Sequence, residues 1–133
     1  MRVDLARDKV HEYDYEWAYP GLQGALARQD DRYHTVPYRY GFLNGLAFGP
    51  DSTSKWHMID HQTGKVRSYD PGPGVALSEL CFAPRRKGAA EADGYIVGVA
   101  SNQRENGRAD LLILDTQDIS AGPIAIVRLP YRV

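Results

Sequence analysis

Three times along this chain an apolar pair ending in aspartate precedes a polar turn and a second apolar stretch. The three are Val3-Asp4 before Lys9-Val10, Ile59-Asp60 before Lys65-Val66, and Leu114-Asp115 before Ile124-Ala125. Asp4 and Asp60 lie 56 positions apart, and Asp60 and Asp115 lie 55 apart. A strand-turn-strand texture recurring at about 50 residues is the signature of a β-propeller in which each repeat is one four-stranded blade. A closed ring needs about four to eight blades, so 133 residues hold little more than two and predict a fragment of a larger ring. An aspartate that closes a strand accepts backbone N–H groups of the turn behind it, so the repeated aspartates read as structural.

The last 25 residues, 109–133, read as a hairpin in which neither arm alternates cleanly, which predicts cover on both faces. Strands at 79–83, 95–100, 110–115 and 124–129 are joined by polar or Gly/Pro-containing connections without an amphipathic pattern, and read as one four-stranded antiparallel meander. Strands at 56–60 and 65–69 flank His61-Gln62-Thr63-Gly64, and Pro71-Gly72-Pro73-Gly74 ends that hairpin. The segment 33–48 alternates Tyr38, Tyr40 and Phe42, and Gly41 and Gly45 within it predict a bulge or a close backbone approach. Further strands are expected at 2–5 and 9–15, with Tyr13, Tyr15, Trp17 and Tyr19 on one face as core aromatics. Only in residues 24–31 does a helical turn compete with a loop.

Charge and cysteine content exclude several functions. Sixteen Lys and Arg against 17 Asp and Glu leave a net charge of -1, and the longest basic run is Arg85-Arg86-Lys87, so neither nucleic acid nor an anionic membrane is an expected partner. The one cysteine, Cys81, allows no internal disulfide, predicts a reduced compartment and reads as a buried structural thiol. No apolar stretch reaches the length of a membrane span, and MRVDLARDKV lacks a signal-peptide core, so a cytoplasmic location is expected.

Candidate chemistry is sparse. His57 and His61 are four apart, but on a strand entering a turn, where the helical pairing useful to a metal is missing; exposed turn histidines are expected, and His11 and His34 fall in no ligand spacing. Asp30-Asp31 points to opposite faces of an extended chain and reads as a solvated loop. Glu79 opens an inner strand beside Leu80, Cys81 and Phe82, and a partly buried carboxylate there wants a donor such as a ring N–H. There is no Ser-His-Asp set, phosphate loop or cysteine cluster.

Five stretches in order carry a resemblance: YRYGF at 38–42, DPGPG at 70–74, SELCFAPR at 78–85, ADGYIVGVASN at 92–102 and the hairpin 109–133. Together they resemble the C-terminal portion of a carotenoid cleavage oxygenase of the lignostilbene dioxygenase or apocarotenoid oxygenase type. The likeness runs over residues 1–133, stronger over 32–133 than over 1–31. It implies an all-β, seven-bladed propeller with Fe(II) on its axis, held by four histidines, that uses O2 to cleave an alkene in a carotenoid, apocarotenoid or stilbene. It also leaves a peripheral membrane contact open to the parent.

Carried over residue by residue, the resemblance implies that none of His11, His34, His57 and His61 is an iron ligand. Three ligands belong to earlier blades and the fourth to a His-Gly motif beyond the counterpart of LPYRV. Glu79 stands where the family places a carboxylate that accepts the outer ring N–H of a ligand histidine. At the place of the second such carboxylate, counting back from Asp31-Arg32-Tyr33 sets Ala25-Leu26-Ala27-Arg28 against a Glu-Phe-Pro-Arg motif, with Ala25 at the glutamate, which implies either a parent divergent at one ligand or a correspondence that slips by a few residues in this loop. The expectation is a fragment of an iron-dependent alkene-cleaving dioxygenase that is inactive and without a catalytic metal or cofactor by itself. The alternatives are a non-enzymatic propeller or β-sandwich scaffold for a protein partner, and a small stand-alone β-domain.

Overall fold

A computed structural model of the chain describes residues 18–46 and 53–132. The expected strands at 2–5 and 9–15, with Asp4, His11 and all of the aromatic stripe except Tyr19, lie outside them.

The described residues form two four-stranded sheets. The first runs in the order β1 (Gly24–Gln29), β2 (Tyr40–Gly45), β3 (Lys55–Asp60), β4 (Lys65–Tyr69), and the second in the order β5 (Val75–Pro84), β6 (Gly94–Asn102), β7 (Arg108–Asp115), β8 (Pro123–Arg132). Every neighbouring pair is antiparallel, so each sheet is the meander expected of a blade. The helical elements among the described residues are short 3-10 turns at Asp31–Tyr33, Gln103–Glu105 and Ile119–Ala121.

The aspartate repeat falls on equivalent places, because Asp60 ends the third strand of the first sheet and Asp115 ends the third strand of the second. Asp60 Oδ1 accepts the N–H groups of Gln62 and Thr63, and Asp115 Oδ1 accepts that of Gln117. Each carboxylate also takes a guanidinium from the connection between the first two strands of its sheet. Arg39 Nε and Nη2 reach Asp60 at 2.8 and 2.6 Å, and Arg85 Nη2 reaches Asp115 at 2.6 Å. These guanidinium hydrogen bonds hold both carboxyls below the usual carboxylate range.

The core lies between the sheets and joins Phe42, Trp56 and Met58 to Leu77, Leu80, Ile96, Leu112 and Leu114. Trp56 is 0% exposed and donates its Nε1–H to the Ser78 carbonyl at 2.9 Å. Its ring rests on Gly98, where a Cβ would stand 2.5 Å from the indole and 2.9 Å from the Glu79 carbonyl; only glycine leaves that room. Phe42 stacks on Phe82 with centroids 5.4 Å apart.

A reciprocal clamp ties the sheets at one end. Asp30, 2% exposed, caps the first 3-10 turn and accepts from Arg32 Nε and Nη2 at 2.9 and 2.5 Å. Arg32 then donates to the Ala89 and Ala90 carbonyls across the interface. From the other side, Glu91 Oε1 accepts the N–H groups of Arg39 and Tyr40 at 2.6 and 2.8 Å.

Several expectations are corrected. Residues 24–29 are strand β1 rather than a helical turn or loop, because pairing with β2 outweighs the Ala-rich composition. Within the described part of the alternating segment 33–48 the strand is Tyr40–Gly45, since the 3-10 turn and Pro37 precede it. Asp30 is buried, because the Arg32 guanidinium satisfies it. Cys81 is exposed: strand alternation that turns Leu80 inward turns Cys81 to the opposite face. Strand β8 lies at the edge of its sheet with Ile124, Ile126 and Val127 exposed, so no described residue supplies the cover expected for both faces of this hairpin.

Candidate functional site

The residues singled out for chemistry gather on the first strand of each sheet. Strand β5 packs against β1, β2 and β3, which brings β1 and β5 side by side along one edge. Both strands are irregular there: β1 slips register between Ala25 and Arg28, and β5 between Leu77 and Leu80. In β5 the slip turns Leu77 and Leu80 both inward and leaves Ser78 and Glu79 both facing outward. Glu79 is therefore 42% exposed instead of partly buried, and its carboxylate points away from the core. It forms an ion pair with Arg28 Nη2 of β1.

Ala25 is paired across the sheet with Asn44. Asn44 is buried; its Nδ2 donates to the Leu77 carbonyl at 3.4 Å, while its Oδ1 has no partner among the described residues. The alanine thus leaves a polar side chain in place but no carboxylate.

The histidines lie apart from this edge. His57 is not an exposed turn residue but a buried one on β3, with Nδ1 2.8 Å from Ser68 Oγ and Nε2 pressed toward Gly45, whose missing side chain makes the room. His61 is exposed, with Nδ1 2.6 Å from the Tyr19 hydroxyl and Tyr38 edge-on to its ring. A Cβ on Gly41 would stand 2.7 Å from His61 Nε2. The expected close approach at Gly41 and Gly45 is thus made by imidazole rings, and the β2–β3 register runs without a bulge. Burial, then the Asp60 and Tyr38 charges, raise the Tyr19 pKa, so Tyr19 remains a hydroxyl donor. His34 pairs with Asp31 at 2.9 Å on the surface. A cleft of about 530 Å³ beside β3 and β4, lined by Tyr19, Pro20, Leu22, His57, Val66 and Ser68, holds no further titratable cluster.

No group of three or more His, Cys, Asp or Glu among the described residues could hold a metal ion. The donor set does not fit iron. Among the described residues, His57 Nδ1 meets Ser68 and its Nε2 is enclosed by Gly45, His61 Nδ1 meets Tyr19, and the only histidine beside a carboxylate is His34 with Asp31, one imidazole and one carboxylate on the surface.

His57 carries a pH dependence. Burial, reinforced by Lys55, holds its pKa below the usual value. A base so depressed takes up its proton more readily when the chain is unfolded. Stability is then complete above the unfolded value near 6.5 and declines as pH falls through it toward the folded value. The unfolding free energy from urea titration is expected to drop between about pH 7 and 5, by no more than about 1.4 kcal/mol per pH unit. His57→Asn should flatten that slope.

The pairing of Arg28 with Glu79, 51 positions apart, follows no local pattern and was not foreseen. The one signal was Arg28 within the Ala25–Arg28 stretch already singled out.

The sequence profile of the retinal pigment epithelial membrane protein (RPE65) family matches residues 1–133. The chain is 38% identical to lignostilbene-alpha,beta-dioxygenase isozyme III of Sphingomonas paucimobilis over 80% of its own length and 24% of that protein. It is 42% identical to the isoeugenol monooxygenase of Pseudomonas nitroreducens over 98% of its length and 27% of that protein. Its structure superposes on the lignostilbene dioxygenase of Pseudomonas brassicacearum with a TM-score of 0.75 at 31% identity, covering 84% of this chain and 26% of that one. The chain therefore spans about a quarter of the length of these relatives.

Proposed function

Because the chain belongs to the retinal pigment epithelial membrane protein family of carotenoid oxygenases, we propose that it forms the C-terminal part, over residues 1–133, of a seven-bladed propeller enzyme that cleaves an alkene with O2. The substrate class we favour is a phenolic stilbene or a related arylalkene rather than a carotenoid. Support comes from the lignostilbene and isoeugenol enzymes, which match 80% and 98% of the chain, whereas carotenoid cleavage enzymes match 56% and 49%. Fe(II) would supply the activation of O2, and its ligands would come from outside the described residues.

The observation that carries this reading is Glu79. Its carboxylate stands outward on the strand edge where β1 and β5 meet, away from the core, as a group must that accepts an N–H from another part of the polypeptide. An outer acceptor of this kind fixes the tautomer and orientation of a metal-binding imidazole, and its loss typically costs about 10–100-fold in metal affinity or activity. A reduced, cytoplasmic setting is proposed with it, supported by the single unpaired Cys81. No described helix is long and apolar enough to cross a membrane.

A chimera tests the reading: residues 1–133 replace the matching quarter of the Sphingomonas enzyme, and stilbene cleavage and bound iron are measured. Cleavage is expected, reduced about 10–100-fold by Glu79→Gln and raised by Ala25→Glu. A chimera that holds iron yet shows no dependence on Glu79 would sink the assignment. One that folds without iron or turnover would favour the scaffold reading. Anaerobic Fe(II) titration into the isolated chain is expected to show no stoichiometric tight site.

A further inference from the structure

The two strand irregularities face each other, and the Arg28–Glu79 ion pair joins them. Inside the β1 slip Leu26 sits at φ 55°, a left-handed conformation that crowds its Cβ against the backbone. Its side chain is 52% exposed, so core packing does not offset that strain. The ion pair does not offset it either: with Arg28 and Glu79 both near half exposure, water screens the attraction and ordering two long side chains opposes it. Strain of this kind persists where the fold holds a group in a required place, and a bulge re-aims the side chain beside it.

We propose that the slip in β1 serves to turn Arg28 onto Glu79, and that Arg28 is a positioning residue. Its guanidinium holds Glu79 Oε1, which fixes the carboxylate plane and presents Oε2 along the strand edge to one further N–H donor. This proposal rests on the reading of Glu79 given above. An outward glutamate has three rotatable torsions and samples many rotamers. An acceptor for a ring N–H works in one orientation only. The single hydrogen bond from Arg28 Nη2 to Glu79 Oε1 supplies a directional restraint from a planar, delocalised group, and an ammonium, as a point charge, does so less well.

The test reads the side chain directly in the 133-residue protein. Scalar couplings along Glu79 are expected to report one rotamer in the unsubstituted chain, rotamer averaging in Arg28→Gln, and partial recovery in Arg28→Lys. The Trp56 indole and core methyl signals should stay in place throughout, which separates lost orientation from lost fold. Glu79→Gln should shift the Arg28 Nε–H signal in turn. Averaged couplings in the unsubstituted chain, or couplings indifferent to Arg28→Gln, overturn the proposal. Imidazole at about pH 8, where it is neutral, probes the presented oxygen. It is expected to move the Glu79 carboxyl carbon in the unsubstituted chain and several-fold less in Arg28→Gln. Should the rotamer result hold while imidazole leaves Glu79 unmoved, the ring N–H reading of Glu79 fails and the pairing of Arg28 with Glu79 stands alone.

Discussion

Replacing Trp56 with alanine is expected to remove about 3–5 kcal/mol of stability, the usual cost of truncating a fully buried aromatic to Ala. Against a typical total of about 5–15 kcal/mol, that leaves the chain at or near its threshold. Two features of Trp56 place the loss at the upper end. The indole is 0% exposed and reaches from β3 to Gly98 and the Ser78 carbonyl of the second sheet, so its loss opens the interface between the sheets rather than the interior of one. It also satisfies the Ser78 carbonyl at 2.9 Å, which would be left without that donor beside the β5 slip. Urea unfolding followed by circular dichroism measures the change. Trp56→Phe separates the two contributions: it keeps most of the ring, forfeits the N–H, and is expected to cost about 1–3 kcal/mol for the unsatisfied carbonyl.

Asp30→Ala is expected to cost about 3 kcal/mol, the lower end for breaking a buried pair by removing one partner. The end of the range follows from what remains, since the abandoned Arg32 guanidinium is 33% exposed and water reaches it. Burial by itself pushes the Asp30 pKa up; the hydrogen bonds from Arg32, its charge and the Ala92 N–H outweigh burial and hold it below the usual value. The sign follows for pH. A carboxyl with a depressed folded pKa stabilises the fold above its unfolded value near 3.9, and that contribution disappears as pH falls through the folded value. Acid titration of the urea midpoint should therefore show a steeper decline below about pH 4 in the unsubstituted chain than in Asp30→Asn.

The parts of the fold that were legible are those with a local cause. Strands β3 and β4 were read nearly to their ends, because the 61–64 turn and Pro71-Gly72-Pro73-Gly74 punctuate them, and the second sheet was read as a meander from its apolar runs. The repeated aspartates were read as acceptors of turn N–H groups, and Asp60 and Asp115 accept them. What escaped has non-local causes. Strand β1 is polar, Ala-rich and mostly exposed, so nothing in its own residues marks it; β2 makes it a strand. Cys81 and Glu79 were misplaced for one reason, that a register slip after Leu77 decides which residues of an apolar run face inward. The burial of His57 depends on Gly45 of the neighbouring strand. Of the candidate site, Glu79 and Ala25 were marked in advance, while Arg28 as the partner of Glu79 was visible only once β1 and β5 were side by side.

The clamp between the sheets also bears on the order in which the chain assembles. Asp30 and Arg32 are two positions apart and can meet as soon as their turn forms. Arg32 must then wait for the carbonyls of Ala89 and Ala90, 57 and 58 positions on, and Glu91 must reach back 52 and 51 positions to the N–H groups of Arg39 and Tyr40. Contacts of such separation incur loop-closure entropy before they return any energy. On a ribosome the Asp30–Arg32 hook is therefore set early and stands open until the 85–93 connection has been synthesised, so the joining of the two sheets is a late event that the first sheet has already prepared.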